Sequence, residues 1–338
     1  MKVVEYKYRK SMDPYIKLSV PIVYGDCPTF LAVPLAKSKE DLRGADAAII
    51  GGSRLGYGAS PWRSDLGLMF SNRAHLGPHY APIIDSERLR KASLKYGGYL
   101  PELDIDVFEH IKLVDYGDVT SISPIITPED SVRATERTMK KVGDVLDADC
   151  IPITIVSNPY LTVKAVADRT KGKVGVIALD AHGDNAPGAW VEAVSEIANV
   201  DMTKYVQIGM RGPRNYKEQL GWYKDKNSRV FTYWEIKKMG MEALAEEAVR
   251  IASDGTDNTI LIIDFDVLDL GAAEGLDEPL GISVAELCIL VLRVGKNDIS
   301  AFAIESIPSP VAPIYHIVTL STLYLMAGLA IGRSGTTI

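Results

Sequence analysis

The sequence predicts an α/β protein built on a mostly parallel sheet, and three observations carry that prediction. Short continuous apolar runs recur at residues 47–50, 111–114, 151–156, 174–179, 206–210, 260–263 and 299–304. Runs without polar alternation are what strands covered on both faces require. Segments with helical spacing lie between and after them, at 128–147, 241–252, 284–294 and 317–330, and such alternation builds a parallel sheet through right-handed crossovers. No repeat, charge block or Pro/Gly/Ser linker divides the chain, so one domain is expected.

In chain order, residues 1–44 precede the first strand and lack its pattern, although 20–23 and 30–33 are apolar enough to dock on a surface or on a neighbouring subunit. They read as an N-terminal extension to a domain spanning 45–338. After the first strand, residues 51–77 are rich in Gly, Ser, Arg and Asn, which fits a long functional loop. The helix expected over 128–147 gathers its charges on one side. The last helical run is strongly apolar, but Thr319, Ser321 and Thr322 interrupt it and it falls short of a bilayer span, so a buried helix is expected and no membrane anchor.

Composition narrows the function classes. With 47% hydrophobic and 24% charged residues the chain has enough apolar side chain for a full core, which excludes general disorder. A net charge of −7 without a basic cluster argues against nucleic acid as a partner. Cys27, Cys150 and Cys288 lie far apart without metal-type spacing, as reduced thiols of a cytoplasmic protein do. The N-terminus mixes charges into its first residues and shows no secretory signal pattern.

In an open parallel sheet, ligands sit beyond the carboxyl ends of the strands. Residues 174–179 lead into Asp180-Ala181-His182-Gly183-Asp184, residues 260–263 into Asp264-Phe265-Asp266, and residues 299–304 into Glu305. Alternation sends Asp180, His182 and Asp184 the same way, and likewise Asp264 and Asp266. Either motif alone is common in solvated loops; their presence at separate strand ends favours a metal. A carboxylate-rich set with one imidazole suits a divalent ion of the manganese, nickel or iron kind rather than a structural zinc.

These segments resemble the motifs of the ureohydrolases, the arginase and agmatinase family. Asp180 to Asp184 is similar to its Asp-Ala-His-x-Asp motif, and Asp264 to Asp269 to its Asp-x-Asp-x-x-Asp motif. VQIGMR at 206–211, VDYGDV at 114–119, and HLGP and LRKAS within 72–93 extend the resemblance, which covers residues 45–332. It implies a three-layer α/β/α, arginase-like fold in which two metal ions share a water that attacks a guanidinium carbon and releases urea. It further implies that Asp180 and Asp264 bridge the ions, that His182 and Asp266 complete one site, that Asp184 serves the other, and that Glu305 meets the guanidinium group.

The pattern breaks in three places. Ureohydrolases carry Gly-Gly-Asp-His-Ser after an earlier strand, with its histidine a ligand of the second ion; here residues 157–160 read Ser-Asn-Pro-Tyr, so Pro159 stands at the lost ligand position. The family's proton-shuttling histidine after the Asp-x-His-x-Asp segment is missing from 185–192, where Trp190 lies. No acid follows Glu305 up to Ala312. No histidine compensates by position in the chain, although His75 or His79 could reach the site from the long loop.

Family members assemble as trimers and hexamers, and some guanidine- and biguanide-acting ones, metformin hydrolase among them, pair an active chain with a degenerate one. This chain resembles such a degenerate, non-catalytic supporting subunit. The expectation is a trimer or hexamer, with a paralogous catalytic subunit or with itself, and at most one manganese or nickel ion per chain. Two alternatives stand beside it, a self-sufficient guanidino hydrolase with an altered metal site and a guanidinium-binding sensor.

Overall fold

The computed structural model of the 338-residue chain describes residues 20–52, 86–119, 128–155, 159–273, 276, 278–306 and 312–335. Among these, eight strands form one sheet: β1 (Ala47–Gly51), β2 (Leu113–Asp118), β3 (Ile151–Ile155), β4 (Val174–Leu179), β5 (Val200–Ile208), β6 (Arg229–Phe231), β7 (Asn258–Asp264) and β8 (Ala301–Ser306). Their order is β6-β5-β4-β7-β8-β3-β1-β2, and every neighbouring pair is parallel.

Besides the one-turn helix Val107–His110, nine longer α-helices are described: α1 (Ser86–Ser93), α2 (Pro128–Leu146), α3 (Tyr160–Ala167), α4 (Trp190–Ser195), α5 (Lys217–Asp225), α6 (Tyr233–Met239), α7 (Met241–Ser253), α8 (Val284–Gly295) and α9 (Ala312–Ser334). Strand alternation sorts them into two layers. Ile177 and Leu179 of β4 face a core shared with α1, α7, α8 and α9, whereas Val176 and Ala178 face one shared with α3, α4 and α5. Val142 and Val145 of α2 close the second layer over β1. This is the three-layer α/β/α arrangement with the parallel sheet in the middle.

Two strands differ from expectation. β6 is three residues long at the sheet edge, too short to stand out as an apolar run. β5 begins six residues before the run at 206, because the segment 200–205 alternates between covered and open positions and so reads as polar. The apolar residues near the N-terminus dock on this chain's own domain. Phe30 and Leu31 are fully buried, with the Phe30 N–H donating to Asp115 Oδ2 at 2.8 Å and the Leu31 N–H to Ser93 Oγ at 2.7 Å.

Asp115 also anchors Arg90, a fully buried arginine on α1, through a two-pronged contact at 2.8 and 2.9 Å; Asp118 accepts from its third nitrogen. Burial works against the Arg90 charge, and the paired carboxylates outweigh it and hold the guanidinium protonated. The helix α9 contains a segment, Pro313–Ser334, long and apolar enough to cross a membrane, but 83% of its most apolar window is buried inside the domain. It packs closely on α8, where a Cβ at Gly328 would stand 2.3 Å from the Leu292 carbonyl oxygen. Only glycine permits that approach.

Candidate metal centre

The four central strands, β4, β7, β8 and β3, lie side by side, and their carboxyl ends carry the residues singled out by sequence. Asp180 follows the last residue of β4 and its N–H continues the ladder to the Ile208 carbonyl at 3.0 Å. Asp264 closes β7 after a register shift that sets it opposite Ser306. Glu305 stands near the end of β8, and Pro159 precedes α3 on the far side of β3.

Two groups of donor atoms converge there. Asp180, His182 and Asp266 bring one donor atom each within 4.8 Å of one another, and Asp180, Asp184 and Glu305 do the same, so Asp180 is shared. His182 Nδ1 lies 2.8 Å from Asp266 Oδ2 and 3.5 Å from Asp180 Oδ1. Asp264 is buried beside them and takes the Asp266 N–H at 2.9 Å, which fixes the turn between the two aspartates. The Ala181 N–H donates to Asp266 Oδ1 at 3.0 Å, and the His182 N–H to Asp180 Oδ1 at 2.6 Å. Backbone donors thus aim the carboxylates before any ion arrives.

The charges are strongly coupled. Burial opposes a charge on His182, but hydrogen bonding to Asp180 and Asp266 outweighs it and pushes the imidazole up to about 12. Burial, followed by the neighbouring carboxylates, pushes Asp180, Asp264 and Glu305 well above the usual carboxylate range. For Asp266 the hydrogen bond from His182 outweighs burial and lowers the value. Carboxylates that repel one another in a buried site are suited to a divalent cation. Asp180 Oδ2 and both oxygens of Glu305 are buried without a hydrogen-bond partner, which fits a cation that would occupy them. The donor set around His182, one imidazole and several carboxylates, matches a manganese-type ion.

Pro159 is buried at the start of α3, where its carbonyl accepts the Val163 N–H at 3.0 Å. Its ring offers no donor atom, so β3 alone among the four strands supplies no ligand from that position. Trp190 opens α4 beside Asp184, in the region where the family histidine is missing. His110 sits in the one-turn helix Val107–His110, and His316 lies in α9 with its ring 5.7 Å from Tyr96; neither belongs to the two donor groups. His75, His79, Ser157 and Asn158 lie outside the described residues.

Two residues of the site went unrecognised in the sequence. Glu278, 3% exposed, meets His182 Nε2 at 3.0 Å and also holds Arg214. It comes from the irregular loop after β7, ninety-six positions away, where no periodicity marks it. Arg211, within the VQIGMR segment, is buried and donates to the carbonyls of Pro279, Asp266, Leu268 and Glu278 at 2.8 to 3.1 Å, tying that loop to the end of β7. Gly209 makes this possible: its φ is +105°, and a Cβ there would stand 2.6 Å from Val267 Cγ2.

The sequence model of the arginase family matches residues 75–330, three quarters of the chain. The chain belongs to the arginase family. Among relatives of this arginase-family chain, formimidoylglutamase from Halalkalibacterium halodurans is 26% identical over 243 residues, covering 68% of this chain and 73% of that protein. Proclavaminate amidinohydrolase from Streptomyces clavuligerus is 26% identical over 306 residues, covering 86% and 87%. The solved structure of the latter aligns with a TM-score of 0.72 at 22% identity, over 92% of this chain and 99% of that one. Trypanosoma cruzi formiminoglutamase, solved with Mn2+, aligns at 0.70 and 21% identity, over 90% and 99%. These likenesses establish the arginase-like fold.

Proposed function

We propose that this arginase-family chain is a metal-holding, non-catalytic supporting subunit of an assembly that hydrolyses guanidine or biguanide compounds such as metformin. One transition-metal ion, manganese or nickel, is held by Asp180, His182, Asp264 and Asp266. When bound, such an ion supplies Lewis acidity at the strand ends. The names of the relatives, amidinohydrolase, guanidinobutyrase and formimidoylglutamase, support an amidine-type carbon as the substrate class.

The observation that carries the reading is Pro159. At the β3 end the chain presents a ring without a donor, and the turn is committed to starting α3. Placed proton transfer is worth roughly 10² to 10⁴-fold in rate, and residues 185–192 around Trp190 contain no histidine to provide it. Association is supported by large apolar side chains left open on loops and helices after β5, β6 and β7: Tyr216 and Trp234, each 70% exposed, with Leu270 and Leu280. A trimer or hexamer with closed symmetry follows from the family's habit of assembly.

The test is reconstitution. The chain is expressed alone and together with a complete arginase-family paralogue, and urea or amine release is followed with guanidine, agmatine and metformin. No turnover is expected from this chain alone, and the joint complex should turn over faster than the paralogue alone. An equal rate without this chain would rule out the supporting role. The completeness of the His182 group favours one competing reading, a self-sufficient hydrolase working with a single ion, and turnover by the chain alone would select it. Guanidinium binding with neither behaviour would select a sensor.

A further inference from the structure

A cleft away from the strand-end centre lies beside the edge strand β2, which β1 and β3 separate from β8. Its volume is 740 Å³, within the range of small-molecule sites. Tyr24, Leu35 and Tyr116 give it an apolar wall, and α2 supplies much of the rest. Arg137, Lys140, Lys141 and Asp144 stand at positions i, i+3, i+4 and i+7 of that helix, so one face carries three cations and one acid. Lys37, from the segment before the sheet, adds a further cation.

The acids of the cleft are already engaged, and most of its cations are not. Asp118 accepts from Arg90 and, at 3.0 Å, from Ser86 Oγ. Asp144 accepts from Lys140 at 2.6 Å and from the Tyr116 hydroxyl at 3.1 Å. Among the described residues Lys37, Arg137 and Lys141 form no ion pair. Lys141 is the decisive one. It is half-buried, with Nζ 4.1 Å from the centre of the Tyr116 ring and donating to the Tyr116 carbonyl. Burial is the strongest influence on its ammonium and holds it below the ordinary lysine range, against the pull of Asp118, Asp115 and Asp144. A lysine so placed offers a positive charge and, once neutral, a nucleophilic amine.

An electropositive, partly enclosed cleft concentrates anions. Separate ammonium and guanidinium groups suit a compact dianion, and both are common partners of phosphate. Tyrosine rings beside them suit a flat, apolar body. We infer that this cleft is a binding site for a small organic phosphate, whose dianion is held by Lys37, Arg137 and Lys141 and whose body rests against Tyr24 and Tyr116. The site goes beyond the supporting-subunit reading, which neither needs it nor tests it.

The probe is pyridoxal 5′-phosphate, an aromatic aldehyde that carries a phosphate. In the cleft its aldehyde carbon is attacked by the neutral Lys141 amine. Water leaves as the imine forms, and added borohydride donates the hydride that reduces the imine to a stable secondary amine. The full chain, loaded with manganese, is labelled, digested and mapped by mass spectrometry. Lys141 is expected to label faster than any other lysine. Inorganic phosphate should slow that labelling by at least about tenfold, and pyridoxal, the same aldehyde without the phosphate, should react at least about tenfold more slowly. Lys37→Gln and Arg137→Gln, both at exposed positions, should each slow the reaction with pyridoxal 5′-phosphate by about threefold or more and leave that with pyridoxal unchanged. Equal rates with the two aldehydes would mean a reactive lysine without an anion site and overturn the proposal. Labelling spread evenly over the surface lysines, or no protection by phosphate, also overturns it.

Discussion

His182 divides its work between two ring nitrogens. Nδ1 faces Asp266 and Asp180, where an ion would sit, and Nε2 is fixed by Glu278 at 3.0 Å. His182→Ala removes the only imidazole of the two donor groups, so tightly held manganese or nickel should disappear from elemental analysis after dialysis; a retained equivalent would contradict the assignment. Glu278→Ala leaves every donor in place but frees the ring to rotate, so metal affinity measured by calorimetry should fall by about 10 to 100-fold. An unchanged affinity would mean that Glu278 only neutralises Arg214. At this scale strand ends and motif spacing marked Asp180, His182, Asp184, Asp266 and Glu305, which the structure brings together, whereas Pro159 as a lost ligand position rests on the family resemblance. Glu278 escaped because loop geometry, which has no period, brings it to the site.

At the scale of elements, buried pairs join the helices to the sheet. Arg90 links α1 to the Asp115 and Asp118 carboxylates of β2 inside the core. Arg90→Met strands those buried carboxylates, and denaturant unfolding should report a loss of about 3 to 5 kcal/mol. Asp147, at the end of α2, is a surface counterpart: hydrogen bonds from Arg169 and Lys39 hold its carboxyl down to about 2. Its folded value is depressed, so its contribution is complete above the ordinary carboxylate value and vanishes as pH falls through about 2. The pairs are exposed and screened, so Asp147→Asn should cost only a few tenths to about 1 kcal/mol at pH 7. The difference should shrink in high salt and disappear near pH 2; a gap that persists there would point to packing rather than charge. The long strands and helices were legible from their apolar runs. Three-residue β6 and the half-covered start of β5 were not, because an edge needs no continuous apolar run.

For the whole molecule, the parallel order β6-β5-β4-β7-β8-β3-β1-β2 gathers four strand ends into one crevice, and the function turns on what each end presents. Three ends keep their acids and the fourth keeps a proline. The expected limit of one ion per chain rests on the residue at Pro159, and a sequence does not show which carboxylates converge; the structure brings Asp180, Asp184 and Glu305 together at the strand ends. The account requires that fold and assembly survive where turnover does not, and one measurement meets that claim directly. The isolated chain, loaded with manganese or nickel and free of any paralogue, is assayed for urea or amine release from guanidine, agmatine and metformin. No release above the metal-only blank is the predicted result. Hydrolysis at ordinary enzyme rates, on the order of 1 s⁻¹ or more, would contradict the account.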